Sequence, residues 1–358
     1  FVEFPVFGGA QMTVGRQVYD AVEAPYFLDS GVNPFSKHMA MGTDSWLYDR
    51  ALDSIGLKKT FGAGTAWFYV THSTFDFNGT TAATIPPAPA PTADDFGFWE
   101  LYLAGQIQFS ERFGFDIGIQ YLLGDDSANQ YSPPPPPGGT GLELSNIYTA
   151  FGGLRFNFNE NIALKGMYYL QGFGGTRPAG SYTWLQDDAK AWRAVIDVKQ
   201  DMLKFTSLWL EYDMLDQGFF VPTGARALFN NYDWAGKEIE RVVSRLGGTS
   251  ATAPTVMLNN DLTIWRIAAQ QQWNDKIATF EYFANATVGD VRLNADGTRS
   301  DGDITQWGVG VAYQYNPSVL FGLSYEQIKF SDEVADGTGR SGRGHDPSQI
   351  RFRTQVLF

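Results

Sequence analysis

Residues 97–123 read GFWELYLAGQIQFSERFGFDIGIQYLL. In the first half Trp99, Leu101, Leu103, Ile107 and Phe109 alternate with Glu100, Tyr102, Gln106 and Gln108. After Ser110-Glu111-Arg112 the alternation resumes, with Phe113, Phe115, Ile117, Ile119 and Tyr121 set against Gly114, Asp116, Gly118 and Gln120. A period of two marks a strand with one apolar and one polar face. Two such runs joined by three residues make an antiparallel hairpin. The same alternation is plainest in 304–315, ITQWGVGVAYQY, where Trp307, Val309, Val311, Tyr313 and Tyr315 share a face. Further segments at 10–18, 50–59, 63–73, 146–158, 161–170, 189–199, 203–213, 262–272, 276–286, 318–329 and 348–358 bring the count to fourteen.

The spacers alternate between tight and long. The tight ones are Phe61-Gly62, Ser110-Glu111-Arg112, Asn159-Glu160-Asn161, Asp201-Met202, Asn274-Asp275 and Asn316-Pro317. The long ones are 19–49, 74–96, 124–145, 171–188, 214–261, 287–303 and 330–347. All short turns at one end and all long loops at the other is the layout of a transmembrane barrel, and spanning strands need roughly 9–11 residues. The expected fold is therefore all-β: a single transmembrane antiparallel up-and-down β-barrel over 1–358. It has fourteen strands, or sixteen if loop 214–261 holds another hairpin. Aromatic residues at both ends of the segments match two interfacial girdles. The last segment, QIRFRTQVLF (349–358), is expected to pair with the first, because a bilayer leaves an open sheet edge unsatisfied.

Composition agrees with this and excludes other classes. Mean hydropathy is -0.22, and no run of about 18 apolar residues exists to form a spanning helix. There is no cysteine, which removes disulfides, thiolate catalysis and Cys-ligated zinc. The net charge of -13 argues against nucleic-acid binding. The chain opens at Phe1 without a basic n-region, so it reads as a processed or partial product.

MTVGRQVY (12–19) resembles the first strand of general bacterial porins. RALDSIGLKKTFGAGTAWFYVTH (50–72) is similar to their following hairpin. DVKQDMLKFTSLWLEYDMLDQGFF (197–220) resembles porins of diderm bacteria that carry an S-layer-homology anchor. The terminal Phe358 resembles the C-terminal aromatic of outer-membrane barrels. The resemblance implies an outer-membrane location among its lipids, a homotrimer, and Phe358 as the signal read by the barrel-assembly machinery. General porins have sixteen strands and an acidic third loop, whereas the third loop here is rich in proline.

Function is read from where charge goes. The long loops hold 26 of the 39 acidic residues but only 10 of the 26 basic ones. Alternation places Arg50, Lys58, Arg155, Lys165, Arg193, Lys199, Arg266, Arg351 and Arg353 in the lumen, with Glu100, Asp116, Asp197, Glu281 and Glu326. A charge facing lipid instead would cost roughly 2–4 kcal/mol at the midplane. The expectation is a water-filled pore for passive diffusion of ions and small hydrophilic solutes, with a basic wall setting ion preference. The opposing reading has these charges pair across strands and tune nothing. In loop 214–261, AGKEIERVVSRL (235–246) has helical spacing and offers Lys237, Arg241 and Arg245 to a constriction. Packing of that helix over the rim is the other reading. A structural envelope protein or surface receptor is the alternative function, and an outer-membrane hydrolase a weaker one. The only adjacent nucleophile and base, His72 and Ser73, point to opposite faces of a strand. No cofactor or metal motif is present: Asp296, Asp301 and Asp303 depart from the EF-hand spacing.

Overall fold

A computed structural model describes residues 1–18, 46–47, 51–75, 96–124, 143–176, 188–221, 260–292, 299–337 and 346–356. They form one antiparallel sheet of fifteen strands in strict sequence order. The strands are β1 (Val2–Pro5), β2 (Gln11–Val18), β3 (Ala51–Phe61), β4 (Gly64–Phe75), β5 (Phe96–Gln108), β6 (Phe113–Gly124), β7 (Glu143–Asn159) and β8 (Ile162–Thr176). They continue with β9 (Ala189–Val198), β10 (Thr206–Leu215), β11 (Leu262–Gln272), β12 (Ile277–Arg292), β13 (Arg299–Asn316), β14 (Val319–Phe330) and β15 (Ser348–Val356). A short helix, α1 (Asp332–Gly337), follows β14. No helix is long and apolar enough to cross a membrane among the described residues.

All fourteen expected segments are strands. The fifteenth, β1, pairs with β2 and gave no signal in sequence, since four residues ending in proline are too few to alternate. Strands β12 and β13 run further than expected, to Arg292 and from Arg299. Their outer rungs carry polar pairs such as Thr287 with Asp303, which apolar periodicity cannot detect. The expected pairing of the last strand with the first is not seen among the described residues: the ladder ends on β1 and β15.

Side-chain capping fixes the short turns. Asn159 Oδ1 accepts from the backbone N–H of Asn161 and Ile162 at 2.8 and 2.9 Å. Asn274 Oδ1 does the same for Lys276 and Ile277 at 2.9 and 3.0 Å. Ser110 Oγ accepts from Phe113 N at 3.1 Å. Each satisfies turn amides locally, which is why Asn and Ser punctuate the strands there.

The sheet has one buried and one exposed face. The exposed face is mostly apolar, and its aromatics fall in two belts. Trp192 with Tyr212, Trp265 with Phe283 and Trp307 with Tyr325 pack at 4.9, 5.0 and 5.2 Å toward the long-loop end. Phe109 with Phe113 and Phe205 with Trp273 pack at 5.7 and 4.9 Å toward the short turns. Phe113 and Tyr121, Tyr148 and Phe156, Trp265 and Trp273, and Trp307 and Tyr315 are each eight residues apart on one strand. At about 3.4 Å per residue and a tilt of about 40°, that separates the belts by roughly 20 Å, near the height of an outer-membrane apolar band. This is the face that such a barrel turns to lipid. Ile117 lies midway between the belts and is 51% exposed, so Ile117→Arg is expected to destabilise the barrel by about 2–4 kcal/mol in urea titrations in lipid.

Glycine and aromatic residues pair directly across neighbouring strands: Gly118 with Phe151, Gly308 with Tyr282 and Gly310 with Phe280. A Cβ on any of these glycines would overlap the ring beside it, so the missing side chain is the slot in which the ring lies. These slots are on the buried face, and they turn β12 over. Ala278, Phe280, Tyr282, Ala284 and Ala286 face inward, while Thr279, Glu281 and Asn285 face out. Glu281 is therefore not on the pore side, contrary to the alternation-based assignment. Its strand puts the more apolar face inside, and hydropathy alone reads that face as lipid-facing.

Candidate functional site

Two charged clusters occupy the buried face. Near the short turns, Asp116 on β6 is flanked by Arg155 on β7 and Lys165 on β8. Arg155 Nε donates to Asp116 Oδ1 at 3.0 Å, and Lys165 Nζ stands 3.7 Å from Oδ2. Gln106 Nε2 donates to Oδ1 at 3.3 Å, and Arg155 also donates to Gln108 Oε1 at 3.1 Å. One anion thus holds two cations.

The second cluster lies higher on β9–β11 and is buried more completely, with Arg193 1% and Asp213 0% exposed. Arg193 Nε is 3.1 Å from both Glu211 Oε1 and Asp213 Oδ1. Arg266 is 2.7 Å from Glu211 Oε1 and 2.9 Å from Asp213 Oδ2. The register sets this box: Asp213 is paired with Arg193, and Glu211 with Arg266. Trp209 Nε1 donates to Glu211 Oε2 at 2.9 Å. Two cations balance two anions.

Residues from two long loops lie on this cluster. Trp46 stacks on the Arg193 guanidinium at 4.1 Å and meets Tyr169 and Phe219 at 5.0 and 6.3 Å. The Leu47 carbonyl accepts from Gln120 Nε2 at 3.3 Å, and Gln120 also donates to Glu100. The chain leaving β10 turns in as well: Phe220 N donates to Gln171 Oε1 at 2.6 Å, and Phe220 O accepts from Gln171 Nε2 at 3.0 Å. The interior of a fourteen-stranded barrel is too wide for the side chains of its wall to fill. Here loop residues pack onto the wall and narrow it.

The expected pore-lining residues sort as follows. Glu100, Asp116, Lys165, Arg193, Asp197, Arg266 and Glu326 are buried on the inner face. Lys58, Arg155, Arg351 and Arg353 are half-buried on the same face, and the Lys58 ammonium lies 5.6 Å from the Trp67 ring. Glu281 is on the outer face, and Lys199 lies past the end of β9 with its ammonium 3.7 Å from Asp201. Arg50, Lys237, Arg241, Arg245 and Phe358 lie outside the described residues. Sequence reasoning missed Glu211, Asp213 and Trp46. Glu211 shares a face with Trp209, which obscured the alternation, and nothing local marks Trp46 as turning inward.

No protein-family model and no curated protein matches the sequence. Solved structures do match. The chain resembles OccK7 (OpdD) of Pseudomonas aeruginosa with a TM-score of 0.53 at 11% identity, over 97% of this chain and 75% of that one. It resembles OccD3 (OpdP) of the same organism with a TM-score of 0.51 at 11% identity, over 98% and 75%. The outer membrane protein opdK, again from Pseudomonas aeruginosa, aligns at 0.50 and 10% identity over 97% and 76%. The fold is that of bacterial outer-membrane β-barrel porins.

Proposed function

We propose that this chain, having the porin fold, forms a channel in the bacterial outer membrane. Ions and small hydrophilic solutes pass it passively, through a constriction rather than a wide general pore. The observation carrying this reading is the Arg193–Glu211–Asp213–Arg266 box under Trp46, on the face opposite the lipid belt. Well-packed apolar residues often serve stability as well as a buried ionic network does. Charges kept inside a barrel with an apolar outside are better explained by a path for polar solutes that runs beside them. Trp46 and Phe219 stand where that path narrows.

The upper box is charge-neutral, so it contributes less to ion preference than the lower cluster with its single excess positive charge. Asp116→Asn removes the one anion beside Arg155 and Lys165. The reversal potential under a KCl gradient is expected to move toward the chloride value, and an unchanged potential would place this cluster off the path.

The reading itself is tested by planar-bilayer recording of purified, folded protein. Stepwise openings are expected. Silence from protein that resists urea and migrates as a folded barrel would overturn it and favour a surface receptor working through its loops.

A further inference from the structure

We infer that α1 is a lid on the long-loop mouth of the channel, seated by Val334 and lifting about Ser331. The inference rests on the channel reading above. On the inner face, just past the charged box toward the long loops, Leu215, Leu262 and Val288 stand on one rung, and all three are buried. The next residue of that rung is Gly302 on β13. It has no side chain, and Val334 of α1 fills the gap: a Cβ on Gly302 would lie 2.7 Å from Val334 Cγ2. Val334 is fully buried there, and it joins this rung, Trp46 and Phe219 in one apolar cluster. Three described segments thus turn inward onto one apolar layer, and the charged box beneath it is almost fully buried.

A solute reaches the box from that side only if part of the layer moves, and the three segments are held unequally. Trp46 stacks on Arg193 and on two rings, and the chain at Phe220 is bonded twice to Gln171. α1 enters the layer, among the described residues, with Val334 alone. Its acidic Asp332 and Glu333 form no ion pair with the wall among the described residues. Just before the helix, Ser331 N donates to Asp303 O at 2.9 Å, and Asp303 N donates to Ser331 Oγ at 3.0 Å. Those two bonds fix one end of α1 and leave its body to the valine. Lifting α1 therefore exposes one apolar side chain and separates no charges, whereas moving Trp46 breaks a cation–π stack. α1 is the segment that opens first, with Ser331 as its pivot.

The chain has no cysteine, so an introduced pair reports on the lid alone. Gly302→Cys combined with Val334→Cys places two thiols side by side, and a disulfide between them pins α1 to the wall. In planar bilayers the oxidised pair is expected to conduct less than the same protein after reduction, by about threefold or more. Each single variant should ignore the oxidant. Gly302→Ala fills the seat and pushes Val334 out, so it should conduct more than the parent although it adds atoms to the wall. Mass spectrometry confirms the disulfide, and urea titration the fold. Equal conductance from the oxidised and reduced pair, no disulfide in folded protein, or a Gly302→Ala variant no more conductive than the parent would overturn the lid alone. Silence from the folded parent and every variant would overturn the channel reading, and the lid with it.

Discussion

Arg193→Ala is expected to destabilise the folded barrel by about 3–5 kcal/mol, the cost of removing one partner from a buried ionic network. Arg193 holds Glu211 and Asp213 together, each within 3.1 Å of its Nε. Without it two carboxylates share Arg266 alone, in a place with little access to water. Urea unfolding in lipid, followed by tryptophan fluorescence, measures the loss. The double change Arg193→Met with Asp213→Leu leaves Glu211 with Arg266 and restores the charge balance. It should recover most of the stability, because an apolar pair of similar volume replaces a paired one. A single-variant loss below about 1 kcal/mol is the range of a solvated surface pair and would mean that water already surrounds the cluster.

Trp46→Ala is expected to raise unitary conductance by about twofold or more, since flow is set by the narrowest cross-section. The ring is fully buried between Arg193, Tyr169 and Phe219, and it anchors its loop segment to the wall. Truncation removes the obstruction and the stacking that holds it. Phe219→Ala should do less. The chain at Phe220 is held by two hydrogen bonds between its backbone and the Gln171 side-chain amide, which do not depend on the neighbouring ring. Liposome swelling with sugars of increasing size provides a second readout. Equal conductance in Trp46→Ala and the parent protein would put Trp46 beside the path rather than in it.

Much of the fold was legible because its physics is local. Alternation in 113–123 or 304–315 reports a strand with two solvents, and Asn or Ser at the turns reports how the amides there are satisfied. β12 was read on the wrong face for an instructive reason. Its inward side chains answer to Gly308 and Gly310 on the next strand, and no window on 276–286 contains that information. The charged box was half legible. Arg193 and Arg266 fall on the polar face by simple alternation, whereas Glu211 and Asp213 lie on a strand whose buried face also carries Trp209 and Leu215. Trp46 belongs to long-range packing, since its partners are more than a hundred residues away in sequence.

The ladder has one more consequence, for descent. Each strand pairs only with the strands before and after it in the chain. Among the described residues the sheet has no crossover that an insertion could disrupt, so its ancestry can proceed by copying or dropping whole hairpins. Each event changes the girth of the wall while leaving the remaining rungs in register. Paralogues of this chain should then differ in length by multiples of one hairpin, with the breakpoints falling in turns. The β9–β11 segment that carries the charged box would be inherited intact or lost as a piece.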